Sequence, residues 1–136
     1  MRDRITESFA RQGLMVTLGA TLDHIGDGIV RVVADVRPET AQQHGVGHAG
    51  LTFALADSAA GYAALTILSE GAEVVTSEFR ISLLAPARGR LLAEGRVVRP
   101  GRRLVAVAAD VWGGDDRGGR VHVATALGTM VPVGAG

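Results

Sequence analysis

The stretch His48-Ala49-Gly50-Leu51-Thr52-Phe53-Ala54-Leu55-Ala56-Asp57-Ser58-Ala59-Ala60-Gly61-Tyr62-Ala63-Ala64-Leu65-Thr66-Ile67-Leu68 decides how the rest of the chain is read. It holds no proline, is rich in the strong helix formers alanine and leucine, and is followed by Gly71 as a stop. About twenty residues at ~1.5 Å rise make a helix of roughly 30 Å, the breadth of a small domain. Its side chains are mostly small, as close packing inside other structure requires.

Working outward, four β-type runs follow the helix: Val74 to Leu84, Arg90 to Arg99, Leu104 to Trp112 and Arg120 to Val133. Each is bounded by glycine or proline, and the short connections predict antiparallel neighbours. Upstream, Asp3 to Gln12 reads as a short amphipathic helix with Ile5 and Phe9 on one face and Gly13 as its stop. Val16 to His24 and Ile29 to Val36 read as strands around the turn Ile25-Gly26-Asp27-Gly28. Arg37 to Gly47 is polar, turn-rich and read as a loop. The expected fold is α+β, with a long central helix wrapped by a curved antiparallel sheet of about six strands. The 136 residues suit one domain, residues 1–136.

Composition removes several classes of function. With no cysteine there is no disulfide, thiolate metal site or cysteine nucleophile. Fourteen basic residues, all arginine, balance fourteen acidic ones, so the overall field does not favour a polyanion. Aromatics at 4% are too few for a base-stacking surface, and nucleic acid is not an expected partner. The apolar run around the long helix is broken by Asp57 and Ser58, so no membrane span is expected. Met1-Arg2-Asp3-Arg4-Ile5 lacks the apolar core of a signal peptide, and a cytoplasmic location is the expectation.

The chemistry concentrates where Gln42-Gln43-His44-Gly45-Val46-Gly47-His48-Ala49-Gly50 runs into the helix. A glycine-rich loop lets backbone N–H groups approach a ligand, and the helix N-terminus favours negative charge, a developing oxyanion included. Nine residues after His48 comes Asp57, among Ala, Leu, Phe and Gly. A carboxylate there needs a partner or a cavity. On pattern alone, a structural acid and a functional one fit equally.

The run His48-Ala49-Gly50-x-x-x-x-Leu55-Ala56-Asp57, with Gln42 six residues before the histidine, resembles the PaaI-type hotdog acyl-CoA thioesterases. That family typically reads Asn/Gln, then His-Gly-Gly, then Ala-Asp. The likeness continues through Thr76-Ser77-Glu78-Phe79, Leu83 to Gly89 and Arg99-Pro100-Gly101-Arg102. It implies a thioester hydrolase in which Asp57 is general base or nucleophile and the Ala49 N–H polarises the carbonyl. His48 would orient the turn, Gln42 would contact the carbonyl or the water, and Thr76 would position water. Gln43 could replace Gln42. Ala49 stands where the family has glycine, and Gln42 where asparagine is usual. The resemblance further implies a homodimer with sites shared across the subunit boundary, often paired into a tetramer, and no cofactor.

Gly50, Ser58 and Tyr62 are candidate substrate contacts by position. Arg88, Arg99 and Arg102, at strand ends and hairpins, are candidates for the CoA phosphates. His44 and His48 lie four apart, but two glycines intervene and no third ligand is evident, so no metal is expected. No Gly-x-Ser-x-Gly elbow marks a serine nucleophile. Two other readings stay open: a non-catalytic acyl-CoA-binding hotdog module, and a hotdog hydratase, whose Asp-His pairing is not found.

Overall fold

A computed structural model describes residues 1–134. Helix α1 (Arg2–Ala10) and a short α2 (Gly13–Leu18) precede strands β1 (Thr21–Gly26) and β2 (Ile29–Asp35). A 3-10 turn, Pro38–Thr40, lies in the loop before the central helix α3 (Ala49–Thr66). Strands β3 (Glu73–Leu83), β4 (Arg90–Arg99), β5 (Val105–Gly114) and β6 (Arg120–Val133) follow. All six strands form one antiparallel sheet in the order β1-β2-β4-β5-β6-β3.

The sheet wraps α3, the hotdog arrangement. Helix α3 is apolar nearly all round because it is buried nearly all round. Leu55, Ala56, Ala59, Ala60, Ala63 and Ala64 have no exposed surface. All of these but Ala63 share one core with Val30, Val32, Leu91, Ala93, Val105, Val107 and Val111 from the sheet's inner face. The alanines bring the two layers together, and Gly95 completes the approach. A Cβ on Gly95 would stand 2.2 Å from the carbonyl carbon of Ala59, so helix and sheet meet backbone to backbone there.

The far end of α3 is closed by charge rather than by glycine. The Arg4 guanidinium donates to the carbonyls of Leu65, Leu68 and Ser69 at 2.7, 3.2 and 2.8 Å. A cation on the terminal carbonyls complements the helix dipole and ties α1 to α3. Gly71 does not cap the helix; Ile67 occupies that position.

Two further expectations need correction. The segment Val16 to His24 is not one strand: its first residues complete α2, Gly19 ends that helix at φ 68°, and the strand begins at Thr21. A short helix with β-branched residues and only Met15 buried has too little periodicity to read, whereas the left-handed glycine was the available signal. Second, β3 and β4 are consecutive but not neighbours. The chain between them crosses the sheet, leaving β3 beside β6 and β4 beside β2.

Candidate active site

Asp57 projects from α3 toward β3, where the Thr76 hydroxyl donates to its Oδ1 at 2.7 Å. Thr76 reaches it because β3 carries a bulge. Thr76 pairs with Met130 and Glu78 with Thr129, so Ser77 is the extra residue. Before the bulge Val74 and Thr76 share the inner face; after it Phe79 and Ile81 do, Phe79 meeting Phe53 of α3 edge-on at 5.4 Å. Glu78 turns outward and accepts from Thr129 at 2.9 Å. A bulge re-aims side chains in this way next to functional sites. Burial raises the Asp57 pKa above the ordinary carboxylate range, and the Thr76 hydrogen bond only partly offsets it.

Asp57 opens on a cleft of about 230 Å³ that Ser58, Tyr62 and Thr76 also line. Ser8 and Gln12 line it as well, and sequence reading did not single them out. Ser8 follows the buried Ile5 at i+3 on α1, and Gln12 lies just past the end of that helix, as the extended N-cap of α2. Gln12 donates to the Tyr62 hydroxyl at 2.8 Å, and Ser8 shares a hydrogen bond with it at 3.0 Å.

The start of α3 forms a second cleft, of about 330 Å³, between the Gln42–Ala49 loop and the Leu83–Ala87 connection. His48 is the N-cap: its Nδ1 accepts from Gly50 N at 2.7 Å, and its carbonyl accepts from Leu51 and Thr52. Among the described residues the Ala49 N–H has no partner, leaving one unengaged donor at the positive end of the helix dipole. Ala49 is helical and no described non-glycine residue has positive φ, so alanine stands here in place of glycine without backbone strain. Gln42 lines this cleft; its side-chain oxygen accepts from the His44 N–H, which leaves its NH₂ group to donate. Gln43 is exposed and lines neither cleft, and the Gly50 N–H is occupied by the His48 cap.

Arg99 and Arg102 are exposed with Arg103 around the β4–β5 hairpin, beside a cleft of about 510 Å³. Arg88 is exposed in the β3–β4 connection, where its carbonyl accepts from Gly114 N at 3.0 Å. None of these four guanidinium groups pairs with a carboxylate among the described residues. No group of three His, Cys, Asp or Glu residues that could hold a metal occurs among the described residues. Among the described residues no helix is long and apolar enough to cross a membrane.

A central helix wrapped by a six-stranded antiparallel sheet, with a half-buried acid on that helix and an open N–H at its start, defines a hotdog protein. Residues 44–119 match the Thioesterase superfamily. A crystal structure of a thioesterase family protein from Silicibacter pomeroyi is 36% identical, with TM-score 0.95 and 98% of each chain covered. The E. coli PaaI protein from the phenylacetic acid degradation operon shares the fold at 22% identity and TM-score 0.81, over 95% of this chain and 90% of that one. A Halobacterium salinarum protein whose name assigns it provisionally as an esterase is 36% identical over 65% of this chain, and the match spans 62% of that protein's length. The chain belongs to the thioesterase superfamily, and by that membership it is a thioester hydrolase.

Proposed function

We propose that the chain hydrolyses an aryl- or medium-chain acyl-CoA to the free acid and CoA. Asp57 acts as general base, or itself adds to the carbonyl as nucleophile, expelling the CoA thiolate to leave an anhydride that water then hydrolyses to the free acid. As base it removes a proton while the water oxygen bonds to the carbonyl carbon. The Ala49 N–H binds the oxyanion, and the Gln42 amide can donate to the same oxygen. The C–S bond then breaks, and the thiolate, a stable leaving group, needs little acid assistance. Thr76 holds Oδ1, which leaves Oδ2 for the water. Arg88, Arg99 and Arg102 would take the CoA phosphates.

One relationship carries the reading. Asp57 follows Ala49 by eight residues on one helix, about 12 Å along the axis, and each lines a different cleft. One chain therefore cannot present both to the same carbonyl, which supports a site shared between two copies. The β3 edge supports the same reading. It is an eleven-residue strand without proline that is paired on one side only. Beside it, Val75, Leu83, Leu84 and Phe53 are 53%, 54%, 53% and 38% exposed. A long apolar edge calls for a partner strand, and a two-fold pairing of β3 with its copy would supply one. Pairs of such dimers would form the tetramer.

Free thiol is followed while the purified protein is incubated with acyl-CoA esters. Release is expected to fall by about 10²-fold or more in Asp57→Asn with folding retained. Binding of the esters without thiol release would favour the non-catalytic module, and hydration of crotonyl-CoA would favour the hydratase.

A further inference from the structure

At the far end of α3, the β4–β5 hairpin and the last residues of β6 border a cleft of about 590 Å³. It shares no lining residue with the clefts of Asp57 and Ala49. Its walls include Ile67 and Leu68 after the helix, Pro100 on the hairpin, and Pro132 and Val133 of β6. The two prolines present no N–H to a ligand. Ile67 and Val133 are 38% and 41% exposed, and covering such apolar surface favours binding.

Charge narrows the choice of ligand. Of the residues lining the cleft Arg102 alone is charged, and its guanidinium meets no carboxylate among the described residues. The carbonyl end of a helix ordinarily repels an anion. Here the Arg4 guanidinium already covers the carbonyls of Leu65, Leu68 and Ser69, so that repulsion is offset. The neighbouring acids line other clefts, Glu70 beside Arg4 and Glu73 beside Asp57. An apolar body with a single negative end matches these walls. The volume is about four times the ~150 Å³ that holds benzene, room for a chain of about eight to ten carbons.

Pro100, Gly101 and Arg102 also line the cleft of about 510 Å³ on the other side of the hairpin. One guanidinium therefore serves two clefts. A carboxylate bound on one side draws it away from CoA phosphates on the other. We propose that the cleft at the end of α3 is a regulatory site for a medium-chain fatty acid, its carboxylate paired with Arg102 and its chain laid along Ile67, Pro100 and Val133. The acid released by hydrolysis then weakens binding of the next ester. That regulatory step rests on the thioesterase reading above, whereas the binding site does not.

Octanoate and octanol are titrated in parallel into the isotope-labelled protein and followed by amide chemical shifts. Octanoate is expected to shift Ile67, Ser69, Gly101 and Val133, and to bind about fivefold or more tightly than octanol. Arg102→Gln should remove that preference. Ser69→Glu, which sets a like charge on the cleft wall, should weaken octanoate and spare octanol. Shifts confined to the Asp57 cleft, or equal affinity for acid and alcohol, would overturn the site. In thiol-release assays octanoate should raise KM about threefold or more with kcat unchanged. Val133→Trp fills the cleft and should keep the wild-type KM and kcat without octanoate, while losing that rise. Ser69→Glu gives the same readout if the tryptophan variant folds poorly. A rise as large as wild type in either folded variant would assign the inhibition to the active site and overturn the regulation. No Asp57-dependent thiol release from any ester would overturn the thioesterase reading, and the titration would still decide the cleft.

Discussion

Thr76 donates to Asp57 across 2.7 Å, from a strand free on its other edge to a helix buried almost all round. The bond joins the part of the molecule best fixed by packing to the part most exposed to a partner. It also sets the acid's strength, because it is the one contact that stabilises the charged form against burial.

Activity should therefore fall on the acid side as Asp57 takes up its proton. Since its pKa is raised, that limb of the kcat/KM–pH profile should lie above ~3.9, the ordinary value for an aspartate. Thr76→Val removes the stabilising donor and should move the limb to higher pH, while Thr76→Ser should leave it near the wild-type position. A pH profile that does not respond to Thr76→Val would detach Asp57 from the titration.

The same shift has a stability consequence. A carboxyl whose pKa is higher folded than unfolded favours the folded state when protonated, and that contribution is lost as pH rises through the folded value. Ionised Asp57 thus burdens the fold at neutral pH. Asp57→Asn should match or exceed the wild-type Tm at pH 7 to 8, with the gain shrinking as pH falls toward ~4. Thermal melts across that range check it; a large loss of Tm at neutral pH would make Asp57 a structural acid.

Removing the oxyanion donor needs a substitution that deletes an N–H without breaking the helix. Proline suits the first position of a helix, and the residue before it must be extended. His48 is already extended at φ −62°, ψ 143°. Ala49→Pro should retain its Tm while kcat drops by about 10²–10³, the effect of losing one such donor. Full activity in a well-folded Ala49→Pro protein would exclude that N–H from the chemistry.

Much of the fold was legible in the sequence where glycine and proline punctuate it. The bounds of β4 and β6 match their expected limits, and the long helix is shorter by only a residue or two at each end. What escaped depends on tertiary context. The Thr76–Asp57 contact turns on a bulge at Ser77 that reverses strand parity, visible only as a switch from Val74 and Thr76 to Phe79 and Ile81. The crossing between β3 and β4 follows from the need to cover both flanks of α3, which local spacing does not encode. Ser8 and Gln12 look like ordinary surface residues until α1 is docked beside Tyr62. The positions of Asp57, His48 and Ala49 needed no docking, because one continuous helix and its N-cap carry all three.

The central claim is that each active site takes Asp57 from one subunit and Ala49 from the other. Mixing the two defective proteins, Asp57→Asn and Ala49→Pro, tests it directly. In mixed dimers one site inherits both lesions and the other inherits neither. With equal amounts and free exchange, half the dimers are mixed and roughly a quarter of all sites should be intact. Thiol release should recover to about a quarter of the wild-type rate. Activity that stays at the level of the separate variants, with mixed dimers shown to have formed, would contradict the shared site.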